Sequence, residues 1–198
     1  MLMSRCRSMS TSTKLIQRLM STQVATQPSK PFVDPRVPHL HDLVPDSTQP
    51  GLSGQGVKSV ALRDINPGET IFREKGELHT HPSVHSIQIG ESTHCQIDGE
   101  GRFTAHSFSP NCGIIISPTN ASPIEFVALR AIAQGDDLSF DYTTTEWDMM
   151  DGGFVDATTG QPVRGFKYLS DAQRTKLLDA GLLPKHILAL WLQELQLK

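Results

Sequence analysis

The chain has 198 residues, 37% of them hydrophobic, so it is long enough to bury one sizeable core, and we expect one globular domain with tails. Three cysteines are too few for a disulfide scaffold, and no apolar run approaches the roughly 18 residues that a membrane span needs. The net charge is only −3, and we expect no direct binding to nucleic acid.

Residues 1–30 differ in charge from the rest of the chain. They contain no Asp or Glu, six Ser, four Thr and five basic residues: Arg5, Arg7, Lys14, Arg18 and Lys30. Residues 31–198 therefore have a net charge of −8. A segment that is rich in Arg and Ser and free of acids is typical of an organelle transit peptide, which predicts a mitochondrial or plastid protein. The alternative is an ordinary disordered tail on a nuclear or cytoplasmic protein.

Residues 31–50 are predicted to be a proline-rich linker. Six prolines lie between positions 27 and 54, and this density disfavours helix and interrupts strand ladders. The folded core is expected at residues 51–145, and a C-terminal part at residues 146–198.

Two stretches stand out within the core. The first, from Gly101 to Asn111, reads G-R-F-T-A-H-S-F-S-P-N and places a polar, proline-bearing turn before an apolar strand. The second, from Gly135 to Tyr142, reads G-D-D-L-S-F-D-Y, a glycine turn followed by an alternating strand. Together they predict several strands and a functional loop. Earlier in the chain, the strands predicted at residues 57–62 and 70–72 are joined by a turn at Asn66–Pro67–Gly68.

These stretches resemble the hallmark segments of the SET-domain lysine methyltransferases. A third segment agrees, because Gly54–Gln55–Gly56–Val57 and the following A-L-R-D-I-N-P-G-E resemble the opening of that domain. The resemblance implies a mainly β fold of small curved sheets with a few helices and a threaded C-terminal segment. It also implies S-adenosylmethionine as cofactor and a lysine-containing protein, histone or non-histone, as substrate. We expect the protein to act as a monomer.

The resemblance assigns cofactor binding to two loops, whose residues here are Gly54, Gly56, Val57, Arg102, Ala105 and His106. Glycine suits such a loop because it has no Cβ to hold a ligand away from the main chain. The family has Asn at the position of Ala105 and Cys at that of Phe108. Alanine offers no amide, so at least one family hydrogen bond to the cofactor is expected to be missing.

The catalytic residue implied by the resemblance is Tyr142. A lysine amine must be neutral to attack a sulfonium methyl group, although its ordinary pKa is about 10.4, and it must be held in line with that group. A buried tyrosine hydroxyl can orient the amine, while aromatic faces favour the cationic sulfonium. We expect the substrate channel to be lined by Phe140, Tyr142, Trp147 and Phe154.

No metal ligand is assigned. Many family members bind zinc through cysteines after the tyrosine, but this chain has no cysteine after Cys112. The histidine-rich stretch contains His79, His81, His85 and His94 and completes no familiar ligand pattern. Cys95 is expected to be a small buried apolar residue.

The C-terminal part is predicted to be helical. Ser170 and Gln173 fit a capping box, Gly181 fits a helix end, and Pro184 fits the start of a second helix. Two functions remain open: a protein-lysine N-methyltransferase, favoured by Tyr142, and a non-catalytic SET module that binds a lysine-bearing peptide or protein partner. Ala105 and the missing zinc cluster favour the second.

Overall fold

The computed structural model describes residues 57–117 and 123–197, the strand at 41–45, and residues 14, 15 and 18. The described parts contain twelve short strands and two α-helices. The strands are β1 His41–Pro45, β2 Val57–Ala61, β3 Thr70–Glu74, β4 Gly76–His79, β5 Ser86–Gln88, β6 His94–Ile97, β7 Ala105–His106, β8 Cys112–Ile116, β9 Ile124–Ala128, β10 Ser139–Phe140, β11 Phe154–Val155 and β12 Pro162–Val163. The helices are α1 Asp171–Asp179 and α2 Lys185–Gln196.

The strands form five small sheets within the described residues. Two sheets have three strands each, in the orders β3-β9-β8 and β4-β6-β5, and the others pair β1 with β2, β7 with β10, and β11 with β12. All pairs are antiparallel except β7–β10. The mainly β architecture predicted from the sequence is therefore confirmed.

The main core lies under the sheet β3-β9-β8. Phe126 in β9 is fully buried, and its ring meets those of Phe72 at 5.2 Å and Phe140 at 5.6 Å, both edge to face. Cys95 and Cys112 belong to the same core, so the buried position predicted for Cys95 is confirmed. Burial raises the pKa of both thiols, which makes them unreactive packing residues.

The predicted turn at Asn66–Pro67–Gly68 is present, with Gly68 at a φ of 81° and the N–H of Glu69 bonded to the carbonyl of Asn66. The strands on either side of it nevertheless lie in different sheets. Strand β2 pairs with β1, which lies inside the segment expected to be a linker, while β3 pairs with β9. The turn redirects the chain between two sheets and does not close a hairpin.

The C-terminal helices build a second core around Trp191. Ser170 and Gln173 form the predicted capping box, and Gly181 follows α1 with a φ of 69°. Arg174 is buried beneath α2, where it donates to Glu194 over 2.6 Å. Of the N-terminal segment, Leu15 packs against this core and Arg18 forms an ion pair with Asp179. None of the helices in the described part is long and apolar enough to span a membrane.

Candidate functional site

Asn111 fixes the two sequence motifs to each other. Its side chain is buried, donates to the carbonyl of Asp137 over 2.7 Å and accepts from the N–H of Ser139 over 2.8 Å. These two hydrogen bonds hold the end of the first motif against the start of β10. Strands β7 and β10 then run parallel, with Ala105 opposite Ser139 and His106 opposite Phe140.

Tyr142 lies directly beyond β10 and is held at both ends. Its hydroxyl donates to the carbonyl of Thr104 over 2.7 Å, and its main-chain N–H donates to Nδ1 of His106 over 3.3 Å. Burial, followed by the charge of Glu146, raises the pKa of Tyr142, so the phenol stays neutral. Because its proton is already donated to the carbonyl of Thr104, the hydroxyl oxygen can only accept a hydrogen bond from a ligand.

The ring of His106 presents a buried donor to the site. Burial lowers the pKa of His106 to about 4, against a smaller opposing effect of Asp156, so the imidazole is neutral near pH 7. A neutral ring has one acceptor nitrogen and one N–H, and Nδ1 is the acceptor here. Nε2 therefore carries the proton, yet it is buried and has no hydrogen-bond partner among the residues that the structure describes. Buried donors are usually paired, and an acceptor atom of a ligand would supply the missing partner.

The pairing of β7 with β10 sets the direction of the His106 main chain. The residues on either side of it donate to the neighbouring chain, Ala105 to the carbonyl of Leu138 and Ser107 to that of Phe140. Because alternate residues of a strand point their N–H and C=O groups to opposite sides, those of His106 face away from β10. The side-chain donor and this edge of the strand therefore face a ligand together, if one binds here.

Aromatic rings surround His106. The rings of Phe108, Tyr142 and Phe154 lie at 4.6, 5.2 and 5.7 Å from the imidazole, all close to perpendicular. The ring of Phe140 lies 4.5 Å from that of Tyr142. These rings provide apolar and π surface of the kind that favours a cationic ligand group. Three of the four residues named for the channel, Phe140, Tyr142 and Phe154, thus share one cluster.

Phe154 is presented by the hairpin β11–β12, which is closed by side-chain and main-chain contacts. The carboxylate of Asp156 accepts from the N–H of Thr159 over 3.0 Å and from its hydroxyl. Gly153 packs so tightly that a Cβ would lie 1.8 Å from the carbonyl oxygen of Val163.

Within the described residues, no group of three or more His, Cys, Asp or Glu side chains could hold a metal ion.

Other predicted site residues lie apart from this cluster or outside the described residues. Trp147 packs on Phe166 at 5.9 Å in the C-terminal core, and Arg102 is exposed, with its guanidinium 4.6 Å from the ring of Phe103. Gly54 and Gly56 fall outside the described residues, and Val57 is described only as the first residue of β2. Ala105 lies in β7 beside His106.

Sequence reasoning did not single out Thr104 or Glu146. Thr104 provides the carbonyl that receives the Tyr142 hydroxyl, and Glu146 is a buried carboxyl group four residues after Tyr142. The sequence clue to Glu146 was its position as the single charged residue of the run T-T-T-E-W. A main-chain acceptor such as Thr104 leaves no mark in the sequence.

Comparison with known proteins matches residues 56–143 to the SET domain family model. Among solved structures, a candidate histone methyltransferase of Plasmodium falciparum is similar to the chain, with 17% sequence identity and a TM-score of 0.40. That similarity covers 52% of this chain and 96% of the other. The comparison with curated proteins finds no match.

Proposed function

We propose that this chain, whose residues 56–143 match the SET domain model, is an S-adenosylmethionine-dependent protein-lysine N-methyltransferase. The observation that carries the proposal is the environment of Tyr142. Its neutral hydroxyl is anchored on Thr104 and offers a ligand only acceptor lone pairs, and its ring lies 5.2 Å from that of His106, whose Nε2 has no partner in the described part of the chain. One motif thus supplies a donor for a cofactor and the other supplies an acceptor for an amine.

When bound, S-adenosylmethionine supplies an activated methyl group on a positively charged sulfur. His106 would hold the cofactor through Nε2 and its outward-facing main-chain groups, while Phe108 and Phe154 exclude water around it. Tyr142 would accept from the lysine amine and hold it in line with the methyl group. Because burial keeps Tyr142 protonated, it orients the amine and does not remove its proton.

The proposed substrate is a lysine side chain of a protein, histone or non-histone, and the protein is proposed to act as a monomer. Residues 31–198 have a net charge of −8, which favours binding of a lysine that lies within a basic segment of the substrate. Closure of the site is proposed to depend on the Asp156 hairpin and not on zinc.

Calorimetric titration of the purified chain with S-adenosylmethionine tests the proposal. We expect saturable binding at one molecule per chain, strongly weakened in His106→Phe, which removes both ring nitrogens and keeps an aromatic ring. Exposed His79→Phe serves as the matched control and should bind as the wild type does. Absence of binding by the wild type would overturn the enzyme proposal and favour a non-catalytic module that binds a lysine-bearing partner, to which Ala105 also points.

A further inference from the structure

Glu146 is a buried carboxyl group to which the chemistry above gives no role. Its side chain is 9% exposed, and burial raises its pKa to about 7. The facing basic group is His94, whose Nδ1 lies 3.8 Å from Oε2, beyond hydrogen-bond distance. A buried carboxyl group without a close cation is costly, and such groups are concentrated at functional sites.

The side chain of Glu146 ties the Tyr142 turn to strand β5. Oε1 accepts from the main-chain N–H of Gln88 over 2.8 Å, and the Gln88 side chain in turn accepts from the N–H of Trp147 over 2.9 Å. The main-chain N–H of Glu146 donates to the carbonyl of Tyr142 over 3.0 Å. Two hydrogen bonds in series therefore connect β5 to the residue whose hydroxyl lies in the site.

The groups that face this carboxyl do not neutralise its charge. They are His94 from β6, Tyr142 from its own turn and the hydroxyl of Thr145, which donates to Oε1 over 3.3 Å. His186 from α2 bonds to the main-chain carbonyl of Thr145 over 2.9 Å. Glu91, after β5, faces His186. Burial lowers the pKa of His94, and it lowers that of His186 to about 4, which leaves His186 neutral near pH 7. Burial is the larger cause of the raised pKa of the Tyr142 phenol, and the charge of Glu146 adds to it.

We propose that Glu146 is a positioning residue for Tyr142, which it holds against β5 while adding a negative potential at the phenol. In the low dielectric of the interior this potential acts strongly over short distances. The inference rests on the proposed function, since the cation that it favours beside Tyr142 is the sulfonium group of the cofactor.

The electrostatic part can be tested without any enzyme assay. The chain has two tyrosines, so ring-labelled tyrosine gives two NMR signals, and Tyr142→Phe assigns them. In the wild type, the Tyr142 signal should shift with pH at a midpoint near the Glu146 pKa of about 7. The shift should vanish in Glu146→Gln and persist in Asp148→Asn, a control carboxylate that is exposed and bonded to Lys167. The proposal would be overturned if the chemical shift of Tyr142 did not change with pH in the wild type, or if it still changed near pH 7 in Glu146→Gln.

The positioning part is tested by turnover. Glu146→Gln keeps an acceptor oxygen for Gln88 and removes the charge, whereas Glu146→Ala removes both. We expect kcat to fall about tenfold or more in Glu146→Ala and less in Glu146→Gln, with the KM for S-adenosylmethionine little changed. Wild-type kcat in both variants would overturn the positioning role. If Glu146→Ala fails to fold, Glu146→Gln and the NMR titration decide the question. If the wild type transfers no methyl group, the proposed function fails, while the NMR result still decides the part played by Glu146.

Discussion

The main-chain N–H of Tyr142 donates to Nδ1 of His106 across 3.3 Å, although the two residues lie 36 positions apart in the chain. This bond sets the tautomer of the imidazole, because the accepting nitrogen cannot carry the ring proton. It also makes the two motifs interdependent, since the donor that His106 offers a ligand depends on where Tyr142 lies.

The first prediction concerns the hydroxyl of Tyr142. Tyr142→Phe should lower kcat about 100-fold, because a misplaced amine loses its in-line geometry, and should change the affinity for S-adenosylmethionine little. It should also cost about 1–3 kcal/mol of unfolding free energy, because the Thr104 carbonyl loses its donor. Steady-state kinetics and calorimetry measure the first two effects, and urea denaturation the third.

Tyr168→Phe is the matched control, since Tyr168 is 45% exposed and is the other tyrosine of the chain. Its kinetics should equal those of the wild type. Equal turnover in Tyr142→Phe and Tyr168→Phe would show that the role assigned to Tyr142 is wrong.

The second prediction concerns Ala105. Ala105→Asn restores the amide found in the family and should tighten binding of S-adenosylmethionine by about 1 kcal/mol, which corresponds to roughly a fivefold lower Kd. Calorimetry should show the change, and exposed Ala157→Asn should not. Weaker or unchanged binding in Ala105→Asn would mean that the cofactor does not lie against this position.

The third prediction concerns metal. Because no cysteine follows Cys112, and Asp156 holds the β11–β12 hairpin together, the purified chain should contain no stoichiometric zinc and should keep its Tm in a chelator. Elemental analysis and thermal melting check this. One zinc per chain would contradict it and would bring His79, His81, His85 and His94 back into consideration as ligands.

The fourth prediction concerns the pH dependence of stability. Burial raises the pKa of Glu146 from 4.5 to about 7, so the folded chain retains a proton that the unfolded chain releases between these values. Burial of Glu146 therefore opposes folding increasingly as pH rises through this window. Glu146→Gln should gain stability relative to the wild type from pH 4.5 to 7, approaching roughly 3 kcal/mol above pH 8.

Urea denaturation at four pH values measures this difference, and Asp148→Asn controls for the loss of a surface charge. Taking the difference between variant and wild type removes the opposing contribution of the buried histidines. Because burial lowers the pKa values of His106 and His186, these histidines destabilise the folded chain as the pH falls from about 6.5 to 4. A difference that does not vary with pH would show that Glu146 is ionised normally.

The fifth prediction concerns the N-terminus. A fluorescent fusion of residues 1–30 should enter an organelle, and we expect the mitochondrion, because this segment is basic and free of acids. Replacing Arg5, Arg7 and Arg18 with Glu should leave the fusion diffuse. A diffuse signal from the unmodified segment would remove the transit-peptide interpretation and favour a nuclear or cytoplasmic substrate.

The local features of this fold were predictable from the sequence, and the long-range ones were not. The capping box of Ser170 and the turn at Gly68 depend on residues within four positions of one another, and both were predicted. The sequence could not show that β2 and β3 enter different sheets, because strand pairing is decided by distant partners. For the same reason the sequence could not show that Trp147, five residues after Tyr142, packs on Phe166; its place in the channel stays a prediction.

Mass spectrometry of an acceptor tests the central claim most directly. The purified chain would be incubated with S-adenosylmethionine carrying a labelled methyl group and a pool of lysine-containing peptides, beside the same pool with lysine replaced by arginine. We expect label on lysine ε-amines in the first pool, none in the second, and far less product with Tyr142→Phe than with Tyr168→Phe. A chain that binds S-adenosylmethionine yet labels no lysine would contradict the assignment as a methyltransferase.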